Sequence, residues 1–588
     1  MRTAHKLLVL GCTAAVAATL AALPWRLAGL ARRAEIASSI TRVTGLEARL
    51  TGPITLKLLP LPRVRIGGVS IAAVDGAMQL DAPVLYGDLD LDALVHGHWR
   101  LATATITDPV ITIDVDREPD RAALAAVDRA GFKLSIRSGV LRLLSQQPAL
   151  DTLVTDLTLT AEQGNASQGS VSLSGSAVWH GAFSQFALRV ADPRGILDGG
   201  TSPAFAQVTS TIGAASAVGE LTGGEQPQFT GRFSASTNAL PRLLGALGAE
   251  ASWLGVSKAT LSGDAIARVG DVSLSGSEVH LDEMSFEGTL GYHHDGSRSL
   301  IEGTLATGVL DADKLGASKL DASTLKALYR APWIDDPAPV NIDLRISANR
   351  ARLGSVDLED AALSALFRDS RLELTLDEAT AYGGTIKARA VATVGRQGLD
   401  AHADVNVAGL QLGPMSEAMF GEQRVAGELT GKLGVGGRGV TLSEVAHDLS
   451  GDGQLAVDHG TLSGVSVSQA LKRLARRLPP VTNSGQITSF EKASAAMRVE
   501  HGLLTLVDGQ MIGPGISLSF GGKSDLPNGK VSILAVAAPT DAEGAPLAEG
   551  PRLPFEMRGA WGEPFTVIDR THGLSVPLLL PSFDPGLR

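Results

Sequence analysis

Three places in the chain hold residues whose type and spacing could do chemistry. Gly434-Val-Gly436-Gly-Arg-Gly439 has the G-x-G-x-x-G spacing that lets a backbone approach a pyrophosphate. That chemistry also needs a strand, turn and helix in a βαβ unit. A helix start falls near Ser443, but the neighbouring strands read as antiparallel, so the run is expected to be a flexible hairpin turn. His96 and His98 would share one face of a strand, and His293 and His294 are adjacent. Neither pair has a third ligand nearby, so no metal site is expected. The chain contains no H-E-x-x-H, P-loop or G-x-S-x-G motif. Its acids are scattered along polar strand faces, where solvation is the default. No catalytic residue and no cofactor are expected.

The elements that would carry such residues are strands. Period-two alternation recurs in Ile111-Thr-Ile113-Asp-Val115, Leu157-Thr-Leu159, Ile342-Asp-Leu344-Arg-Ile346, Leu372-Glu-Leu374-Thr-Leu376 and Ile516-Ser-Leu518-Ser-Phe520. Each run puts its apolar residues on one face and polar residues on the other, which predicts antiparallel sheet with one solvated side. A second pattern repeats: apolar, x, apolar, x, x, Gly, x, Leu. It reads Leu134-Ile136-Gly139-Leu141, Leu455-Val457-Gly460-Leu462 and Met497-Val499-Gly502-Leu504. Leu344-Ile346-Asn349-Ala351 is a weaker copy. This spacing predicts a hairpin whose turn needs positive φ at Gly139, Gly460 and Gly502. Asn528-Gly529 after Pro527 predicts another turn.

Composition agrees with many short strands. Of 588 residues, 67 are Gly and only 4% are aromatic, so small and aliphatic side chains must cover the apolar faces. Helices are expected over 239–248, 321–329 and 468–478. In the last, Val467, Ala470, Leu471, Leu474 and Leu478 form a stripe opposed by Lys472, Arg473, Arg476 and Arg477. A cap on the sheet with a solvated basic face is the favoured reading, and a membrane- or partner-binding helix the alternative. Residues 331–341 read as a domain boundary, 539–554 as a mobile loop and the tail after 571 as poorly ordered. The expected divisions are 1–33, 34–330, 340–570 and 571–588.

Leu7 to Trp25 is a run of 19 residues without a charge, long enough to cross a bilayer core. Arg2 and Lys6 precede it, and Arg26, Arg32 and Arg33 follow it. The flanking charges do not settle orientation. An uncleaved anchor fits better than a cleaved signal, because the run exceeds a usual h-region. Val9-Leu10-Gly11-Cys12 loosely resembles a lipobox, but too few apolar residues precede Cys12, the single cysteine. Without the first 33 residues the body has 46 basic against 62 acidic side chains, a net charge near −16. Such a body is a poor nucleic-acid binder, and an anionic membrane surface would repel it.

Residues 50–72 carry Gly52, Pro60, Pro62, Gly68 and Val69 in the order found in the opening strands of the AsmA family, which this segment resembles. Tyr382-Gly383-Gly384-Thr385, Leu449-Ser-Gly451-Asp-Gly453 and the run from Leu553 through Gly559 and Trp561 to Pro564 resemble that family's second half. Residues 190–300 match it only in general character. The resemblance implies an inner-membrane, single-pass protein with a periplasmic body, linked to outer-membrane biogenesis. It also implies kinship with bridge-like lipid carriers, whose curved sheet forms a groove for acyl chains, and it brings no catalytic residues.

The fold expected from all this is mainly β: one long, strongly twisted antiparallel sheet forming an apolar groove, a few short helices and one N-terminal transmembrane helix. About 35 strands at ~4.8 Å spacing would reach roughly 170 Å. The greasy face needs a cover, either a second sheet or lipid tails. Phospholipid or another envelope lipid is the expected partner, beside the inner membrane. Leu134, Ile136, Ile342, Leu344, Ile346, Leu372, Leu374, Leu376, Leu455, Val457, Met497, Val499, Ile516, Leu518 and Phe520 are the expected groove residues. A non-enzymatic assembly factor touching outer-membrane assembly components is the alternative. A glycan- or envelope-modifying enzyme would need a concave cluster of acids or histidines that the sequence does not present.

Overall fold

The structure, a computed structural model of the full chain, describes most of residues 23–576. The longer stretches outside the described residues are 97–100, 115–132, 145–151, 165–168, 247–253, 317–339, 477–486, 542–545, 561–565 and 570–574, with shorter ones at 27–29 and 295–297 and a few single or paired positions. The expected helix at 321–329, the boundary at 331–339 and the tail beyond 576 fall outside them, as does the apolar run before Trp25 apart from Leu23.

All 32 described strands join one sheet. From Val171 to Ala560 each strand pairs with the strand before and after it in sequence, from Val171–Trp179 with Ala182–Val190 to Lys530–Pro539 with Leu553–Ala560. Thirty of the strands follow one another in series. Glu47–Leu50 and Ile54–Lys57 share one flank of Arg63–Ala72, and Val110–Asp114 continues Leu101–Thr107 along the flank of Lys133–Leu144. At ~4.8 Å per step the contour is about 140 Å, somewhat under the expected length.

The sheet is mixed rather than wholly antiparallel. Lys133–Leu144 runs parallel to Leu101–Thr107 and Val110–Asp114, and Val340–Leu353 runs parallel to Ser299–Asp311. A parallel join cannot be closed by a hairpin and needs a long crossover. The chain between those strands supplies one in each case, residues 115–132 and 312–339. The second join carries the sheet without a break from Ser299–Asp311 to Val340–Leu353.

The repeated glycine pattern does not mark hairpin turns at Gly139 and Gly460. Gly139 lies inside Lys133–Leu144 and Gly460 inside Ser450–Ser463, each at a β-bulge. The residue before each takes the positive φ: 54° at Ser138 and 49° at His459. The glycines serve close approach. A Cβ at Gly460 would sit 2.1 Å from Cζ of Phe490, and one at Gly139 would sit 3.0 Å from Cγ2 of Ile136. Gly502, with φ 73°, does stand at a turn, as does Gly529 with φ 67°. Asp156, Asp360 and Asp508 mark further bulges, residue types that tolerate positive φ. Each bulge sharpens the local right-handed twist.

Gly434–Gly439 is likewise no turn, but the end of the strand Val425–Gly439. Its glycines admit the helix Leu442–His447: a Cβ at Gly437 would lie 2.6 Å from the carbonyl oxygen of Val445. His96 caps the helix Leu91–Val95 rather than standing on a strand, and His294 Nδ1 lies 3.0 Å from Oγ of Ser299.

Helices are short except Leu30–Thr44, which the sequence does not announce. The expected helices at 239–248 and 468–478 occur as Leu240–Ala246 and Val467–Ala475. Strand direction places Leu30–Thr44, Leu240–Ala246, Leu412–Phe420 and Val467–Ala475 at one set of strand ends. Leu91–Val95, Pro193–Leu197 and Leu442–His447 lie at the other. Among the described residues no helix is long and apolar enough to cross a membrane. Trp25 and Arg26, at the end of the expected span, pair as strand with Leu56 and Thr55.

Candidate apolar face of the sheet

Residues opposite one another on paired strands share a face, so the register traces each face across the whole molecule. One cross-strand row begins Leu56, Val64, Gly87, Ala104, Leu134, Ala161 and Leu173. It continues through Leu188, Ala206, Ala217, Phe233 and Gly263. A bulge at Gly276 intervenes, and the row resumes at Ser277, Gly288, Leu305, Ile346, Leu363, Leu376 and Ala388. It then passes Val405, Leu433, Gly453, Met497, Leu506, Gly522 and Ile533. Ser277 is the one polar residue in this row.

The neighbouring row on the other face is polar over the second half of the sheet: Arg345, Ser364, Thr375, Arg389, Asp404, Gly434, Asp452, Arg498, Thr505, Lys523, Ser532 and Arg558. The sheet is therefore two-faced along its length. This follows from strict alternation, kept in phase at every bulge because the extra residue restores the parity that a slip would invert.

All fifteen expected groove residues stand on the apolar face. They differ in cover. Ile136, Val457, Val499, Ile516 and Leu518 are buried. Ile516 and Leu518 pack with Val467 and Leu471 of the helix Val467–Ala475, whose Lys472 and Arg476 are exposed. That is the capping arrangement expected of this helix. Ile342 and Leu372 pack against Phe367, Leu399 and Val445 under the helix Leu442–His447. Leu134, Ile346, Leu376 and Phe520 are half-buried at the borders of core clusters. Leu344, Leu374, Leu455 and Met497 are half-buried and belong to no core cluster.

Helices thus cover the face at the strand ends and leave much of its middle half-open. Leu188, Val208 and Val405, 41%, 40% and 36% exposed, are apolar-face residues that sequence reasoning missed. Each has an alanine on one side across the strands: Ala206 beside Leu188, Ala215 beside Val208 and Ala388 beside Val405.

The polar face carries ion pairs instead of a cover. Arg389 Nη2 lies 2.6 Å from Oε1 of Glu373, and Arg438 Nε lies 2.9 Å from Oδ2 of Asp400. His402 Nε2 lies 3.2 Å from Oδ2 of Asp404. Beside them Gly434 and Gly436 leave a polar hollow of about 810 Å³. A twisted sheet is a saddle, so each face has a concave diagonal. Among the described residues no cluster of three or more His, Cys, Asp or Glu side chains could hold a metal ion.

Elsewhere on the sheet, Asp88 receives 2.6 Å and 2.8 Å hydrogen bonds from Arg63 Nε and Thr103 Oγ1. Partial burial works to raise its pKa, but these bonds and the Arg63 charge outweigh it and leave the carboxyl lowered. Asp282 is lowered by the backbone N–H groups of Lys258 and Ser257, which it accepts at 2.8 Å and 3.2 Å.

No curated protein matches this chain. Residues 300–508, just over a third of the chain, match the model of the AsmA family. This segment holds the strands from Val340–Leu353 to Ile487–Glu500 in full, including the hairpin turn at Tyr382-Gly383 with φ 46° and 77°. Over residues 300–508 the chain is therefore similar to the AsmA family, and the Tyr382–Thr385 and Leu449–Gly453 motifs fall inside that match.

Proposed function

We propose that this protein is an inner-membrane-anchored, non-enzymatic envelope protein that carries phospholipid by its acyl chains along the apolar face of the sheet. The observation that carries this reading is the apolar row, which runs from Leu56 to Ile533 with one polar interruption and, among the described residues, has no second sheet over it. Soluble monomers rarely leave a contiguous apolar surface of more than a few hundred Å² open, and larger ones mark binding surfaces. Hydrocarbon chains would remove that surface from water at about 25 cal/mol per Å². The AsmA-family match over 300–508 supports an envelope role, and the run Leu7–Trp25 supplies a segment long enough for an anchor.

The test is extraction of phospholipid from the purified full-length chain, with single carboxylates placed on the half-open row. Val405→Asp and Met497→Asp, at positions outside the core clusters, are expected to lower bound phospholipid at least fivefold while shifting the urea midpoint little. A counterpart on the polar face, Thr375→Asp, should leave lipid content unchanged. A wild-type chain that extracts without phospholipid sinks the reading.

A further inference from the structure

Outside the family-matched segment the apolar face is partly covered by the helix Leu30–Thr44 and, further along, at a second place. Leu240 and Leu243 of the helix Leu240–Ala246, at the strand ends, border a half-open cavity of about 390 Å³ over the strands from Thr201–Ser210 to Asp271–Leu281. Its floor is a single cross-strand row: Val208, Ala215, Ala235, Leu261 and Val279. Leu240 and Leu243 form the roof. This floor lies two residues along the strands from the Ala206, Ala217, Phe233 and Gly263 positions, so the cavity opens from the same apolar face.

The polar groups at its margin are already engaged. Thr237 Oγ1 donates to the Ile212 carbonyl at 2.7 Å and also accepts the Ala239 N–H at 3.0 Å, which ties the start of the helix to the sheet. Ser184 and Ser210 hydroxyls donate to the Ala182 and Phe183 carbonyls at 3.4 Å and 3.3 Å. A ligand here meets hydrocarbon and no unmet donor. Polar headgroups and hydrophilic ligands would lose their hydration without compensation.

Shape narrows the choice. The floor spans five strands, or about 19 Å at ~4.8 Å per step. Dividing the 390 Å³ volume by that length gives a mean cross-section of about 20 Å². This matches the section of one extended polymethylene chain, whereas a fused-ring sterol is broader and would protrude through the open side. Ala215 and Ala235 at the centre of the floor keep the channel open, where Leu or Ile would close it.

We propose that this cavity seats the distal part of one unbranched acyl chain and acts as a discrete binding site on the apolar face. The proposal rests on the acyl-carrying reading above. It adds a site of defined stoichiometry, one chain per protein, in a segment that the family match does not cover.

The experiment titrates the purified full-length chain with cis-parinaric acid, a linear fluorescent fatty acid, and separately with dehydroergosterol, a fluorescent sterol. Energy transfer from tryptophan is the readout, since Trp179 lines the cavity. Parinaric acid should bind with one dominant site. Ala235→Leu and Ala215→Leu, apolar substitutions that keep the fold by circular dichroism, should each weaken it at least tenfold. Ser234→Leu, on the other face of the same strand and outside the cavity lining, should leave it within twofold, and the sterol should bind at least tenfold more weakly. Parinaric binding unchanged by both alanine substitutions, or sterol binding as tight as the fatty acid, overturns the proposal. Phospholipid extracted from the same samples separates the two readings. Retained phospholipid with unaltered parinaric binding in Ala235→Leu overturns the pocket alone. Phospholipid absent from the wild type, with parinaric binding lost on Ala235→Leu, overturns carriage and supports the pocket.

Discussion

Residues 171–294 and residues 340–508 build the same two-faced sheet from different residues. In the second region leucines recur on the apolar face and charges on the polar face, where Glu373, Arg389, Asp400 and Arg438 pair across strands. In the first, the apolar face carries small residues such as Ala206, Ala217, Gly231 and Ala235, and the polar face is held by hydroxyls such as Ser216 Oγ and Ser234 Oγ at 2.8 Å. The first region borders a half-open, hydrocarbon-lined cavity. The second packs side chains on its apolar face under the helix Leu442–His447, at the opposite strand ends. The difference teaches that alternation alone builds the sheet, while side-chain size decides whether its apolar face is filled or hollow.

The comparison breaks most sharply at buried aromatics. Phe367, 2% exposed and packed against Leu399 and Val445, should cost about 4 kcal/mol on truncation to Ala. Phe233 is only half-buried in the hollow region, and its truncation should cost about 1 kcal/mol. Urea midpoints of the two variants measure this, and equal losses would show the hollow region to be as tightly filled as the other.

A smaller effect sharpens the common ground. Thr441 caps the helix Leu442–His447 by accepting the Glu444 N–H at 3.2 Å, and Asp192 caps Pro193–Leu197 by accepting the Gly195 N–H at 3.0 Å. Replacing either with Ala should cost about 1 kcal/mol, since local capping does not depend on how the face is filled. Hydrogen exchange of the first-turn amides reads the loss, and a twofold larger effect in one region would sink the equivalence.

The smallest effect is in acid. Asp88, Asp282 and Asp525 all have folded pKa values below the unfolded value of about 3.9. Hydrogen bonds from the Asn528 side chain and backbone lower Asp525. Each group stabilises the fold above its unfolded pKa, and that stability drains away as pH falls through the lowered folded value. Thermal midpoints should therefore hold from pH 7 to about 5 and fall below about pH 4. Asp282→Asn should flatten part of that fall near the first region, and Asp525→Asn near the last strands.

The sequence made the strands and the apolar face legible because leucine alternation is a strong signal in Leu344–Ile346 and Leu372–Leu376. It hid the bulges. A Gly in a strand and a Gly in a turn look alike on paper, and only the Phe490 ring pressed on Gly460 tells them apart. It hid the cavity as well, because Ala215 and Ala235 are ordinary strand residues until the register places them beside Leu261 and under Leu243. The parallel joins were equally illegible, since direction along a strand leaves no mark in an alternating pattern.

Sequential pairing has one more consequence. From Val171 to Ala560 each strand touches only the strands next to it in sequence, so the energetics approach those of a one-dimensional array. Such a molecule has no single melting unit. A hairpin can open at a weak point such as the Gly219–Gly231 pair while distant strands stay closed, and hairpins can be gained or lost in twos without rewriting the rest. Reach becomes a heritable dimension that can be set independently of the surface it displays.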